Sequence, residues 1–596
     1  MSVLETPRIY FRGEITWDPV TTNNFRQLYD EDKDVPLLPA VPAGAPPGTR
    51  REDVFREVAR RAVSDGNWNP HGTHRVHLVG VRVSGVDRGA GVQVDDDLVG
   101  SVVTLEGKLV DAEPYGANSS QIFFDRFDVG APGGDHLSMP SIHPVAARWI
   151  TFGRNTGLGG PAAASVVWQA SSATAGLDLD ARGSDVLTAL AAQLGDPTVR
   201  GLTVRFNTYL TMFDGNLTSS PITPQALEDA IRKGGFHPNP ARGRVVGVIG
   251  LWRPGEAASV PSERRLSGVT GWGAGFARVG ADHLALDLAN SVQETDVDAT
   301  KVDVGTISVV AHTGAGEVAL GSFGPDRYDR RAYEATSGIV TVPLSAAQVT
   351  AASAGQLELR SSTEGTVMAE AAVSITVEPP VVYLDQGDPA QVTVRALVRG
   401  APPGSPLDLA VSIPPGQLTT AADGTAVLEL VGGAAGCVTA TITVATDPGD
   451  EGAYVLVRTL DSPAEVAALE PTWANVYEHV LRNWYAIAPC MDNWLRLDSE
   501  AECRKLAPLI KRLTSKDLVE RSSYMPVTRD LGRAHRDLLH RWCDAVIAGT
   551  DGDADAFVAT AAPPVSRPPA TGYTPPLEYD EPNPFGRGLG ATDPGT

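Results

Sequence analysis

Pro7-Arg8-Ile9-Tyr10-Phe11-Arg12-Gly13-Glu14-Ile15-Thr16-Trp17-Asp18-Pro19 is rich in β-branched and aromatic residues and is bracketed by prolines. It is too short and mixed for a helix, and it reads as a strand that bends at Gly13. Ile9, Phe11 and Ile15 require a core, whereas Arg8, Arg12 and Glu14 require water or a partner. A strand this apolar is tied into a sheet rather than left to fray. A second stretch, Val245-Val246-Gly247-Val248-Ile249-Gly250-Leu251-Trp252, is apolar on both faces and reads as a buried central strand. Its two glycines let a neighbouring backbone approach closely.

Outward from these strands, the chain of 596 residues is long enough for three to five domains. Apolar residues make up 42% and charged residues 20%, so each domain can bury a core. The 61 glycines and 45 prolines favour turns and short strands. A net charge of -23 works against nucleic acid and anionic membranes, which need clustered Lys and Arg. No apolar window approaches the ~18 residues of a membrane span. No basic segment leads into an apolar run near Met1, and four cysteines make no disulfide framework, so the expected compartment is the cytoplasm of a bacterium.

The expected fold class is mainly β and multidomain. Residues 1–265 form an N-terminal β-rich domain, sandwich- or barrel-like, with strands near 76–83, 101–105, 122–129 and 202–209 and one helix from Asp185 to Leu194. Residues 266–377 form a second β domain. Residues 378–468 form an immunoglobulin-like sandwich, because alternating strands recur with a turn every 8 to 12 residues; Glu378-Pro379-Pro380 is its linker. From Thr472 the apolar period becomes helical. Residues 469–550 then form a small helical domain, with a capping box at Ser499 and Glu502 and a third helix capped by Thr528 and ended by Gly549. Residues 551–596 are a Pro/Gly-rich tail, read as disordered.

Several constellations invite chemistry. Strand alternation sets His71 and His77 opposite His74, so a three-histidine zinc site fails unless the segment is a loop. His540 and Cys543, with Cys490 and Cys503 in the same domain, are weak metal candidates; buried thiols and a satisfied histidine are the plainer reading. His535 shares a face with Leu531, Leu538 and Leu539 and reads as a core histidine. Asp551-Gly552-Asp553 lacks the later residues of a calcium loop. No histidine has a glutamate three residues before it, so the helical domain carries no ferritin-like iron motif.

Ordered stretches along the chain resemble the N-terminal, non-ferritin region of the iminophenyl-pyruvate dimer synthase and chromopyrrolate synthase family of violacein and bisindole biosynthesis. They include residues 7–13, Ser120-Gln121-Ile122, Ala147-Arg148-Trp149, Gly201-Leu202-Thr203-Val204, Val246 to Glu256, Tyr477-Glu478-His479-Val480 and Ser523 to Leu531. Because the first strand and the Val245–Trp252 strand both belong to this set, they are expected to be neighbours. The resemblance implies natural-product metabolism, and it implies haem or iron as a cofactor only through the family, whose members carry a ferritin-like domain after the region matched here.

The expected function is a binding or scaffold subunit without catalytic activity of its own, working with a separately encoded ferritin-like or oxidase partner. The tail aromatics Tyr573, Tyr579 and Phe585 are docking candidates, with a merely disordered terminus the alternative. The other function is a stand-alone iron- or haem-dependent oxidative coupling enzyme for aromatic α-imino or α-keto acids. Ligand-binding candidates are Arg12, Arg148, Trp149, Arg253, Tyr524 and Arg529, since a guanidinium fork suits a carboxylate. The alternative is that these arginines make salt bridges between domains.

Overall fold

The structure is a computed structural model. It describes residues 3–17, 29–30, 32–61, 74–113, 119–141, 143–151, 165–215, 236–269, 271–294, 300–446, 452–488, 491–492 and 494–550. His71, Cys490, the Asp551 loop and the tail aromatics Tyr573, Tyr579 and Phe585 lie outside the described residues. The fold is mainly β and multidomain, as expected.

The strand Arg8–Trp17 sits in the middle of a twelve-stranded sheet, between Phe236–Trp252 and Arg75–Asp87. It pairs antiparallel with the Val245–Trp252 stretch, Ile9 opposite Ile249 and Phe11 opposite Gly247. Its register with Arg75–Asp87 shifts around Gly13, the expected bend. There a Cβ would lie 2.6 Å from the Val81 Cα. Ile9, Phe11 and Ile15 point into one large core with Val245, Ile249 and Leu251. The opposite face does not meet water throughout. Tyr10 and Val248 pack on Ala285 and Ile339 of the next unit, and Arg12 pairs with Glu334 there at 2.6 Å. The Val245–Trp252 stretch is therefore apolar on both faces because one face lines the core and the other meets a second domain.

The sheet runs in the order 148–151, 165–173, 201–215, 236–252, 8–17, 75–87, 103–111, 120–130, 136–140, 178–180. It curls until strand Ser165–Ala173 lies against Val145–Ala146 and His136–Pro140, so it is nearly closed. Closure removes exposed strand edges. The helix Asp185–Leu194 stands where expected, with Ser184 accepting from the Leu187 N–H.

Residues 264–370 carry a second, eight-stranded antiparallel sheet whose end strands, Gly316–Phe323 and Ile339–Pro343, approach each other. Next comes a sandwich of one three-stranded and one five-stranded sheet around Val392, Val394, Leu409, Ile442 and Val455. It begins one strand earlier than the Glu378-Pro379-Pro380 linker suggests, because Ser374–Glu378 pairs with Pro389–Leu397.

The helical unit also recruits more chain than residues 469–550. Tyr29 and Phe55 belong to its core, and helix Arg51–Arg61 packs on helix Arg482–Ile487. Two capping expectations are corrected. Ser499 accepts from Glu502 N, but the Glu502 carboxylate turns to the Arg496 N–H at 3.0 Å, so the box is not reciprocal. Thr528 caps nothing: its hydroxyl donates to Asp530 at 2.5 Å, and the last helix, Arg533–Ala548, begins after Gly532. Gly549 ends that helix in the left-handed conformation, at φ 66°.

The units are joined by buried charge. Arg205 of the first sheet bonds Glu263 at 2.6 Å and Asp287 at 3.1 Å. Asp385 of the sandwich accepts from the Arg536 guanidinium at 3.2 Å, and Tyr383 donates to Gln121 at 2.9 Å.

Candidate functional site

The structure does not gather the six sequence candidates into one place. Arg12 pairs with Glu334, and Arg253 with Glu5 at 3.0 Å. Arg148 is buried at the seam with the sandwich, donating to Pro380 O at 2.9 Å with its guanidinium over the Tyr454 ring. Trp149 packs edge-on against Phe276 at 4.9 Å, beside the second sheet. Arg529 is fully buried over Phe123 and donates to the carbonyls of Val519, Val527 and Arg521. Burial lowers its pKa to about 10 and lifts that of buried Tyr524 to about 12. Of the six, Arg529 and Tyr524 do meet, the guanidinium lying 5.8 Å from the centre of the Tyr524 ring, while Arg12, Arg148, Trp149 and Arg253 work in other contacts, so the six make no shared carboxylate clamp.

The weak metal candidates have ordinary partners. His540 Nε2 lies 2.8 Å from the Thr514 hydroxyl, and Cys543 is buried in the helical core. Among the described residues no group of three His, Cys, Asp or Glu side chains could hold a metal ion. His77 sits 3.1 Å from the Thr16 hydroxyl.

A cavity lies where the helical unit meets the first sheet. It encloses about 90 Å³. The inner helices supply Leu481, Trp484, Ile510 and Leu539. The loop Met525-Pro526-Val527-Thr528 closes one side, and Met491 and Trp494 form the rim. The stretch Ser523 to Leu531 is thus part of the site, but through Met525 to Thr528 rather than through Tyr524 and Arg529. Trp494 is 38% exposed, an unusual setting for so large an apolar side chain and the mark of a mouth rather than a sealed void.

The polar groups of this wall are few. The Thr514 hydroxyl donates to Ile510 O at 2.8 Å, and that of Thr528 to Asp530. That leaves His74, which enters from the start of the strand Arg75–Asp87. It is buried, holds a left-handed backbone at φ 57°, and its main-chain carbonyl accepts from Leu109 N at 2.7 Å. Its Nδ1 is 3.1 Å from Leu109 O. A carbonyl oxygen only accepts, so Nδ1 carries the proton and Nε2 is left as an acceptor. Burial pulls the His74 pKa down to about 4, so the ring is neutral at pH 7. The cavity therefore offers an apolar wall, two adaptable thioethers and one neutral hydrogen-bond acceptor. That suits a small apolar or aromatic group bearing one O–H or N–H.

Sequence reasoning met the elements of this site without assembling it. His74 drew attention as a metal ligand, and the chain from Thr472 as helical by its apolar period. Met491 and Trp494 carry no motif, and Met525 stood out only as part of the Ser523–Leu531 stretch; their clustering exists only once the helices are folded.

No family model matches the chain, and no curated protein does. Among solved structures 15 chains match. One is the crystal structure of a Salmonella alpha-2-macroglobulin mutant, which is 10% identical over 65% of this chain, with a TM-score of 0.12. The alignment spans 25% of that protein's length, and no reading of fold or function rests on it.

Proposed function

We propose that this chain is a binding scaffold whose β domains hold a helical unit carrying a small-molecule pocket. The observation that carries the reading is the apolar cavity bounded by Trp484, Met491, Trp494 and Met525, with the His74 Nε2 as its acceptor. Its volume of about 90 Å³ is below the ~150 Å³ that accommodates benzene in an engineered cavity, so a ring enters only as the Met491 and Met525 side chains move aside. The resemblance to the non-ferritin half of imine-dimerising synthases supports a setting in bacterial natural-product metabolism. There the oxidative chemistry would be done by a separately encoded ferritin-like or oxidase partner, and the pocket would hold the aromatic end of a substrate or product.

The test is calorimetric titration of the full chain with phenol and with fluorobenzene, which differ chiefly in the donor. Phenol binds at least about fivefold more tightly, the worth of one net hydrogen bond of about 1 kcal/mol. Ala488→Leu, which fills the cavity from its wall, abolishes binding of both. Binding that survives Ala488→Leu, or no binding of either compound, would overturn the reading.

A further inference from the structure

We propose that the groove between the Val35–Leu38 segment and the helix bearing Glu478, His479 and Arg482 is a second ligand site, taking a small organic carboxylate with an apolar body. The groove encloses about 410 Å³ and lies beside the same helix that walls the first cavity.

The helix explains why two sites can share it. Residues Tyr477–Leu481 form a π turn, one residue wider than an α turn. Val476, Val480, Leu481 and Trp484 are buried in the helical core, while Glu478, His479, Arg482 and Asn483 line the groove. A π turn inside an α-helix costs regular hydrogen bonding and is found disproportionately at functional positions.

Arg482 supplies the anion-holding edge. Its Nη1 is taken by Glu478, the one carboxylate lining the groove among the described residues. Its Nε is buried and has no hydrogen-bond partner among the described residues. A guanidinium that lines a groove attracts a carboxylate through its fixed charge and its remaining N–H donors. Across the groove, Arg51 donates from Nε to Pro39 O at 3.1 Å and from Nη2 to Leu38 O, which keeps its cation at the mouth. Among the described lining residues two guanidinium groups thus face one carboxylate, and the balance favours an anion.

Two imidazoles add donors. His479 and His535 both line the groove, and neither forms a hydrogen bond among the described residues. Burial and the neighbouring His479 lower the His535 pKa to about 4, against smaller opposing effects of Asp530 and Glu465 on adjoining elements. His535 is therefore neutral at pH 7 and presents one N–H and one acceptor. Val35, Pro36 and Leu37 give the groove its apolar side, with Leu37 left 44% exposed. A carboxylate on a short apolar body satisfies all three features at once: the lining guanidinium groups, the idle imidazoles and the apolar wall.

The test uses the full chain and fluorine NMR, with 4-fluorophenylacetate as the probe and 4-fluorophenethylamine and 4-fluorotoluene as controls. Only the acid is expected to shift and broaden. Arg482→Gln weakens it at least tenfold, and Arg51→Gln, at an exposed position, at least threefold, with the melting temperature checked for both. Ala488→Leu leaves acid binding unchanged, which separates this site from the apolar cavity. Three results would overturn the proposal: no acid binding at millimolar concentration, equal binding of the amine or the neutral compound, or acid binding indifferent to both arginine variants.

Discussion

Gly247 shows how much one residue can decide. The Phe11 ring lies over it, and a Cβ there would sit 2.1 Å from Phe11 Cζ. Gly247→Ala must push the ring or spread the strands, at a cost of about 1–3 kcal/mol measurable as a lower urea midpoint. Phe11→Leu in the same chain should recover part of the loss. His74 sets a pH dependence. Its pKa is about 4 in the fold against the ordinary 6.5, so below pH 6.5 the unfolded chain takes up a proton that the folded chain refuses. Stability is then full above pH 6.5 and falls as pH drops towards 4, by on the order of 3 kcal/mol from this residue. His535 acts in the same direction. His143, held up chiefly by its hydrogen bond to Glu520, acts in the opposite sense and loses its contribution as pH rises. Urea midpoints at pH 7 and pH 5 should differ more in the native chain than in His74→Gln; equal differences would remove His74 from the account.

Elements with a clear period were legible in the sequence. The first strand, its Val245–Trp252 neighbour, the Asp185–Leu194 helix and the Gly549 stop stand where alternation, helical spacing and capping chemistry put them. Helix Arg51–Arg61 was not, because it is mostly charged and its buried anchor Phe55 has meaning only against a core formed some 430 residues later. Long-range closure hid the cavity for the same reason: its walls come from four separate stretches. Even so, the Ser523–Leu531 loop stood out in the sequence, and the structure assigns its Met525-to-Thr528 segment rather than its arginine to the site. Phe55→Ala should cost about 3–5 kcal/mol, and hydrogen exchange should show faster opening in helix Arg482–Ile487 than in the sandwich. Uniform acceleration across both would argue against the anchoring role.

At the scale of the whole molecule, the buried ions hold the units in fixed relation. Arg205 is enclosed with Glu263 and Asp287, and removing it leaves two carboxylates without their counter-charge. Arg205→Met should cost about 3–5 kcal/mol. Calorimetry should then resolve separate melting of the first sheet and the second, where the native chain melts them together; a single unaltered transition would contradict that coupling. In the proposed scaffold, holding the helical unit against the first sheet is what brings His74 to the apolar cavity. The most direct measurement is a crystal of the full chain soaked with 4-bromophenol. An anomalous bromine peak is expected among Trp484, Met491 and Met525, with the phenol oxygen within hydrogen-bonding distance of His74 Nε2. A cavity left empty while the bromine binds elsewhere would contradict it.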